Sequence, residues 1–172
     1  MTQTSVRKSN NSRYIAVAAI IIIAIVGVWY YMTYMTPKTV TYIVSLTGAN
    51  EVPPTTSTAT GQCTLTLSSD GKTMHFLLTV NNVVNITASH IHLGAAGVNG
   101  PVIVPLFLGP AKTGSFTGTL AEGDITASTL VGSLQGKTLS DLVTNINNSQ
   151  CYVNVHTTAH PGGEIRGIIL QK

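Results

Sequence analysis

The sequence predicts an all-β domain, an antiparallel, Greek-key-like β-sandwich with one short helix, preceded by a single transmembrane helix. Three observations carry that expectation. After Lys38, seven or eight short stretches alternate apolar and polar residues and are separated by turn residues, the spacing of sandwiches and barrels. Only one window there, Leu139, Leu142, Val143 and Ile146, has helical spacing. Before Lys38, Ile15 to Tyr31 is an unbroken apolar run without a charge.

With Met32 to Met35 that run approaches the ~20 residues a helix needs to cross a bilayer. Trp29, Tyr30, Tyr31 and Tyr34 cluster at its far end, where aromatic rings suit a membrane–water interface. Arg7, Lys8 and Arg13 precede it and only Lys38 closely follows, so positive residues staying inside place the N-terminus in the cytoplasm. The expected organisation is a cytoplasmic tail (1–13), a transmembrane signal anchor (14–35), a tether (36–41) and an outward-facing domain (42–172). A cleaved signal peptide is the competing reading. Its apolar region would be ~7–15 residues with a small-residue cleavage site, and this run is longer. A buried core helix would not be apolar on all sides.

The chain has 172 residues and a formal charge of +3. Three of its nine basic residues lie before the anchor, which leaves the outer part balanced at six basic and six acidic, widely scattered. No basic stripe exists for nucleic acid.

Thr39 to Leu46 alternates with Val40, Tyr42, Val44 and Leu46 on one face. Gly48 to Ser57 holds Pro53-Pro54 and reads as a loop. Gly61 to Ser68 and Lys72 to Val80 flank the turn Ser69-Asp70-Gly71 as a hairpin. Asn81-Asn82 ends that strand. Asn85 to Leu93 is the next, followed by Pro101 to Leu108 and Lys112 to Leu120. Residues 122–134 read as irregular or partly helical. A short helix is expected over 138–147, capped by Thr138 or Ser140. Tyr152 to Thr157 and Glu164 to Leu170 are the last strands.

Both cysteines, Cys63 and Cys151, lie in the exported part, and each shares a strand face with apolar neighbours. An oxidising compartment favours a disulfide between them, with two buried free thiols as the alternative. Asn85-Ile86-Thr87 and Asn147-Asn148-Ser149 match the glycosylation pattern.

Four of the five histidines fall in two clusters. His90 and His92, two apart on a strand, present imidazoles on one side. His156 sits at a strand end, with His160 across a tight turn. Should the two stretches pair, three or four imidazoles converge, and imidazole suits copper, zinc, nickel or iron. Glu164 and Glu51 are available as ligands or as acceptors for the imidazole N–H groups, and Arg166 shares a face with Glu164. The bland reading is that these histidines make ordinary hydrogen bonds. His75, between Met74 and Phe76, reads as structural. No G-x-S-x-G, H-E-x-x-H or P-loop is present, and Gly94, Gly97 and Gly100 do not form a dinucleotide fingerprint.

Three segments also resemble a known family. Gly48-Ala49-Asn50-Glu51-Val52-Pro53-Pro54 resembles the opening of the CHRD domain, named for chordin, where it occurs as repeats. Ala88-Ser89-His90-Ile91-His92-Leu93-Gly94 through Asn99-Gly100-Pro101-Val102 is similar to its A-H-I-H-x-G signature. Tyr152-Val153-Asn154-Val155-His156-Thr157 through Pro161-Gly162-Gly163-Glu164-Ile165-Arg166-Gly167 matches its ending. The resemblance spans about 42 to 170 and implies an extracellular all-β domain without a settled activity. Chordin binds secreted growth factors, which makes an extracellular protein partner one implication. His160 departs from the family pattern. The histidine strand also resembles the copper/zinc superoxide dismutase sandwich, though no zinc loop follows. The expectation is a non-enzymatic binding module holding a transition metal, copper first and zinc second, through His90, His92, His156 and His160, with Glu164 and Arg166 supporting. The alternatives are a metal-free structural, adhesive or protein-interaction domain, and a dismutase-like redox enzyme.

Overall fold

The structure is a computed structural model that describes residues 11–35 and 38–170. It separates into two compact units, Met1–Pro37 and Lys38–Lys172. In the first, helix α1 (Asn11–Tyr30) runs on into a broader π-helical turn, Tyr31–Met35. It starts three residues before the expected anchor, and most of the expected tail lies outside the described residues. Tyr14–Tyr34 has a mean hydropathy of 2.5 and every described side chain in it is exposed. A helix that is apolar and exposed all round is suited to lipid rather than to a protein core, so α1 is a candidate membrane anchor.

The second unit is built from seven strands: β1 (Val40–Thr47), β2 (Thr60–Leu67), β3 (Met74–Leu93), β4 (Val102–Phe107), β5 (Lys112–Ile125), β6 (Cys151–Thr157) and β7 (Ile165–Ile168). One short helix, α2 (Leu139–Asn147), precedes β6. All pairings are antiparallel, and the hydrogen-bonded order is β2-β1-β7-β6-β3-β4. A further pairing of β2 with β3 closes the path into a barrel, which removes most free edges. The expected all-β core with one helix is therefore present. Strand β1 begins at Val40, inside the stretch assigned above to the tether.

Strand β3 is the spine. The sequence pattern divides it at Asn81-Asn82, but the strand runs through. Asn82 and Asn85 take positive φ of 55° and 56°, a conformation asparagine tolerates better than most residues. Strand β5 stabilises the bend: the Thr117 hydroxyl accepts from the Asn82 N–H at 2.9 Å, and the Gly114 backbone N–H donates to Asn85 Oδ1 at 2.7 Å. The bend lets one strand serve two sets of neighbours. Residues 74–81 pair with β2, and residues 86–93 pair with β6. Strand β5 pairs along the first part and β4 along the last.

Alternation puts Tyr42, Val44 and Leu46 of β1, Met74 and Leu78 of β3, Val153 and Val155 of β6, and Ile165 of β7 into one core. Leu142 and Ile146 of α2 close one side of it. Thr138 caps α2, since its hydroxyl accepts from Asp141 N–H while Asp141 Oδ2 accepts from Thr138 N–H at 2.8 Å. Every member of this core lies in Lys38–Lys172, so the unit has what it needs to fold by itself.

The expected disulfide is absent. Cys63 and Cys151 are both buried and free. Cys63 sits opposite Leu78 and Cys151 opposite Leu93, on different halves of β3. Pointing into the core was correctly read, but the two thiols enter it at different places. Burial pushes both up to about 12.

Candidate metal centre

The site lies where β3 and β6 pair, on the face turned away from the core. Ser89 and Ile91 of β3 and Val153 and Val155 of β6 are fully buried. Alternation then sends His90 and His92, with Tyr152, Asn154 and His156, to the other face. The register sets their order: His92 opposes Tyr152, His90 opposes Asn154, and His156 opposes Ala88. His90 is thus diagonal to His156, within reach across an antiparallel pair. This face is covered too, since all of β6 is buried and His92 and His156 are only 7% and 9% exposed.

Donor atoms of His90, His92 and His156 all lie within 4.8 Å of one another. His92 Nδ1 is 2.8 Å from the Gly100 carbonyl and His156 Nδ1 is 2.9 Å from the Pro161 carbonyl. A carbonyl can only accept, so both rings carry their proton on Nδ1 and offer Nε2 as a lone pair. His90 Nδ1 is 3.1 Å from His156 Nε2, and it is His90 that donates. His92 Nε2 is buried with no donor to its lone pair, and Asn154 Oδ1, also unpaired, favours the protonated ring.

Desolvation is the main reason all three imidazoles titrate low. It brings His90 down to about 4, with neighbouring His156 and His92 adding to the effect. It lowers His92 and His156 against the opposing pull of their carbonyl partners, and the Arg166 charge lowers both further. Neutral imidazole is the metal-ligating form, so at neutral pH the cluster is ready to ligate.

A second set of buried groups holds this one in place. Tyr152 stacks on His92 with centroids 4.9 Å apart and planes 8° apart. The Arg166 guanidinium lies 4.0 Å over the Tyr152 ring. Arg166 Nε and Nη2 each meet Glu51 Oε2 at 2.9 Å, in an ion pair with both side chains 2% exposed. Nη2 also donates to Asn99 Oδ1 at 2.6 Å and Nη1 to the Val98 carbonyl at 3.3 Å. Arg166 thereby anchors the loop whose Gly100 carbonyl orients His92. Gly100 itself approaches so closely that a Cβ there would collide with the Leu93 carbonyl, and its N–H donates to the Tyr152 hydroxyl at 3.1 Å. Gly163, at φ +137°, likewise leaves room for the Glu51 carboxylate.

Of the expected site residues, the fold brings together His90, His92 and His156. His160 does not join them: it faces the side of Glu51, in a cleft shared with Pro161 and Gly163. Glu164 neither ligates nor pairs with Arg166. It accepts from the hydroxyls of Ser57 and Thr157, both at 2.6 Å, and so ties two loops together. Glu51 bonds Arg166 instead of a histidine, and backbone carbonyls do the orienting expected of carboxylates. Asn85 and Asn147 both use their side-chain oxygens, towards Gly114 and the Tyr42 hydroxyl. His75 is exposed and bridges Asp124 and Glu122 on β5.

Tyr152 is the participant the sequence reading left out. Its signal was there, because 152, 154 and 156 share a strand face. No sequence pattern reveals the Gly100 and Pro161 carbonyls.

Fold and site together describe a closed β-barrel carrying a buried three-histidine cluster on its outer face. The chain matches the CHRD domain over residues 42–169, and it belongs to that family. All three family segments meet here: Glu51 from the first, His90, His92, Asn99 and Gly100 from the second, Tyr152, His156 and Arg166 from the third. No curated protein and no solved structure matches the chain.

Proposed function

We propose that this is a membrane-anchored, extracytoplasmic CHRD domain that acts as a non-enzymatic binding module and holds a transition-metal ion, copper first and zinc second, on His90, His92 and His156. The N-terminus is cytoplasmic and the barrel lies outside. The observation that carries the metal reading is His92 Nε2: a buried lone pair with no partner, facing two more imidazole donors. An orphaned buried acceptor is costly unless something fills the site. Metal–nitrogen bonds of ~2.0–2.1 Å are reachable from donors this close.

The test is metal content of the purified protein after separate copper and zinc loading, with and without His90→Ala plus His92→Ala. One ion per chain in the native protein and none in the variant is the expected result. No ion in either sinks the reading. The same preparations are assayed for superoxide dismutation, and a rate above free-copper controls would replace the non-enzymatic assignment. Intact protein in a detergent-free soluble fraction would overturn the anchor.

A metal-free adhesive or protein-interaction domain is the second reading. The observation favouring it is the His90–His156 hydrogen bond, which partly satisfies the cluster without an ion.

A further inference from the structure

Resting on the reading of the three histidines as a metal centre, we infer that the site selects the singly charged cuprous ion over divalent ions, Cu(II) and Zn(II) alike.

Three features of the site point the same way. The donor set is uncharged. Among the described residues the cluster comprises His90, His92 and His156 alone, with no carboxylate or thiolate in it. Bound metal therefore keeps its full charge, one unit for Cu(I) and two for Cu(II) or Zn(II).

The acceptors behind the ligands are also uncharged. His92 and His156 give their Nδ1 protons to the Gly100 and Pro161 carbonyls. A carboxylate in that position would make the imidazole more basic and help it carry a dication. The two carboxylates close by are turned to other work, Glu51 to Arg166 and Glu164 to Ser57 and Thr157.

The stack behind His92 includes a cation. Arg166 lies over Tyr152, which stacks on His92, so a guanidinium, paired with Glu51, is built into the wall behind the ligands. Burying charge costs more as the charge rises, and a like charge adds to the cost. With His92 and His156 less than a tenth exposed and His90 half-buried, both penalties fall harder on a dication. Coordination number agrees. A three-histidine zinc site completes its tetrahedron with a solvent ligand, whereas a d¹⁰ monocation is saturated by three nitrogens.

The experiment uses the full chain in detergent micelles. Cu(I), held reduced by ascorbate without oxygen, is titrated against a colorimetric Cu(I) chelator. Cu(II) and Zn(II) are titrated in parallel against chelators of their own. Cu(I) is expected to bind about 100-fold more tightly than Cu(II), which places the bound couple about 120 mV above free copper, at 59 mV per tenfold. Tighter binding of Cu(II) or Zn(II) than of Cu(I) overturns the inference and leaves the metal centre standing. Binding of none of the three overturns the metal centre itself.

Two variants separate charge from stability. Glu51→Gln leaves the Arg166 charge uncompensated and is expected to widen the Cu(I) preference. Arg166→Gln removes that charge and is expected to narrow it. Both break the same buried pair, so a purely structural effect moves the preference in one direction for both. That result, too, would overturn the inference.

Discussion

Replacing Arg166 by methionine should be among the most damaging single changes to the barrel, and the damage should lessen in acid. The substitution keeps an unbranched apolar stem but removes two contacts to Glu51 Oε2 at 2.9 Å, one to Asn99 and one to Val98. It also leaves Glu51, 3% exposed, as a carboxylate without its cation. Breaking a buried pair from one side costs about 3–5 kcal/mol, mostly from the charge left behind. A domain of this size has ~5–15 kcal/mol in all, so the variant is expected to fold marginally. With a urea m-value of ~2 kcal/mol/M, the midpoint should fall by about 2 M at pH 7. Desolvation already raises the Glu51 carboxyl above its ordinary value while Arg166 lowers it. Without Arg166 it rises further. A carboxyl raised in the folded state is most stabilising when protonated, and that contribution is lost as pH climbs through the folded value. The deficit of Arg166→Met relative to the native barrel (residues 38–172) should therefore shrink between pH 7 and pH 5. The buried histidines lose stability over the same range, but less in the variant, whose His92 and His156 no longer face the Arg166 charge, so they shrink the deficit in the same direction. Urea unfolding at the two pH values measures it. A deficit below ~1 kcal/mol at pH 7, or one that does not change with pH, would refute the reasoning.

Three further outcomes are expected. The buried imidazoles titrate below their unfolded value, so their contribution is present above pH ~6.5 and is lost as pH falls, towards about 4 for His90; Tm of metal-free protein should drop across that window, less steeply in His90→Gln. His75 goes the other way, held above its ordinary value by Asp124 and then Glu122, so its contribution is present below pH ~6.5 and fades as pH rises; its NMR titration midpoint should fall in Asp124→Asn, and an unchanged midpoint would contradict the pairing. Cys63 and Cys151 should resist a thiol reagent in the native protein and both react once unfolded without reductant, whereas a mass two hydrogens short would reveal a bridge.

What the sequence determined alone is what periodicity and composition encode locally. Alternation identified the strands and the core faces of Val44, Leu65 and Val153, because side chains in a strand change sides at each residue. An apolar run without charge identified α1, and the helical spacing of Leu139, Leu142, Val143 and Ile146 identified α2. Two histidines two residues apart had to share a face. Tertiary structure decided what depends on register and bending. Positive φ at two asparagines turned an expected break into a 20-residue strand, since asparagine signals a turn and a bend equally well. Register set His156 diagonal to His90 and sent His160 to another side of the same turn. It also sent Cys63 and Cys151 to separate parts of one core, and turned Glu51 and Glu164 away from the imidazoles. Burial then made the three remaining histidines neutral, leaving a site whose acceptors are backbone carbonyls. Those are identical in every residue, and only the fold can aim them.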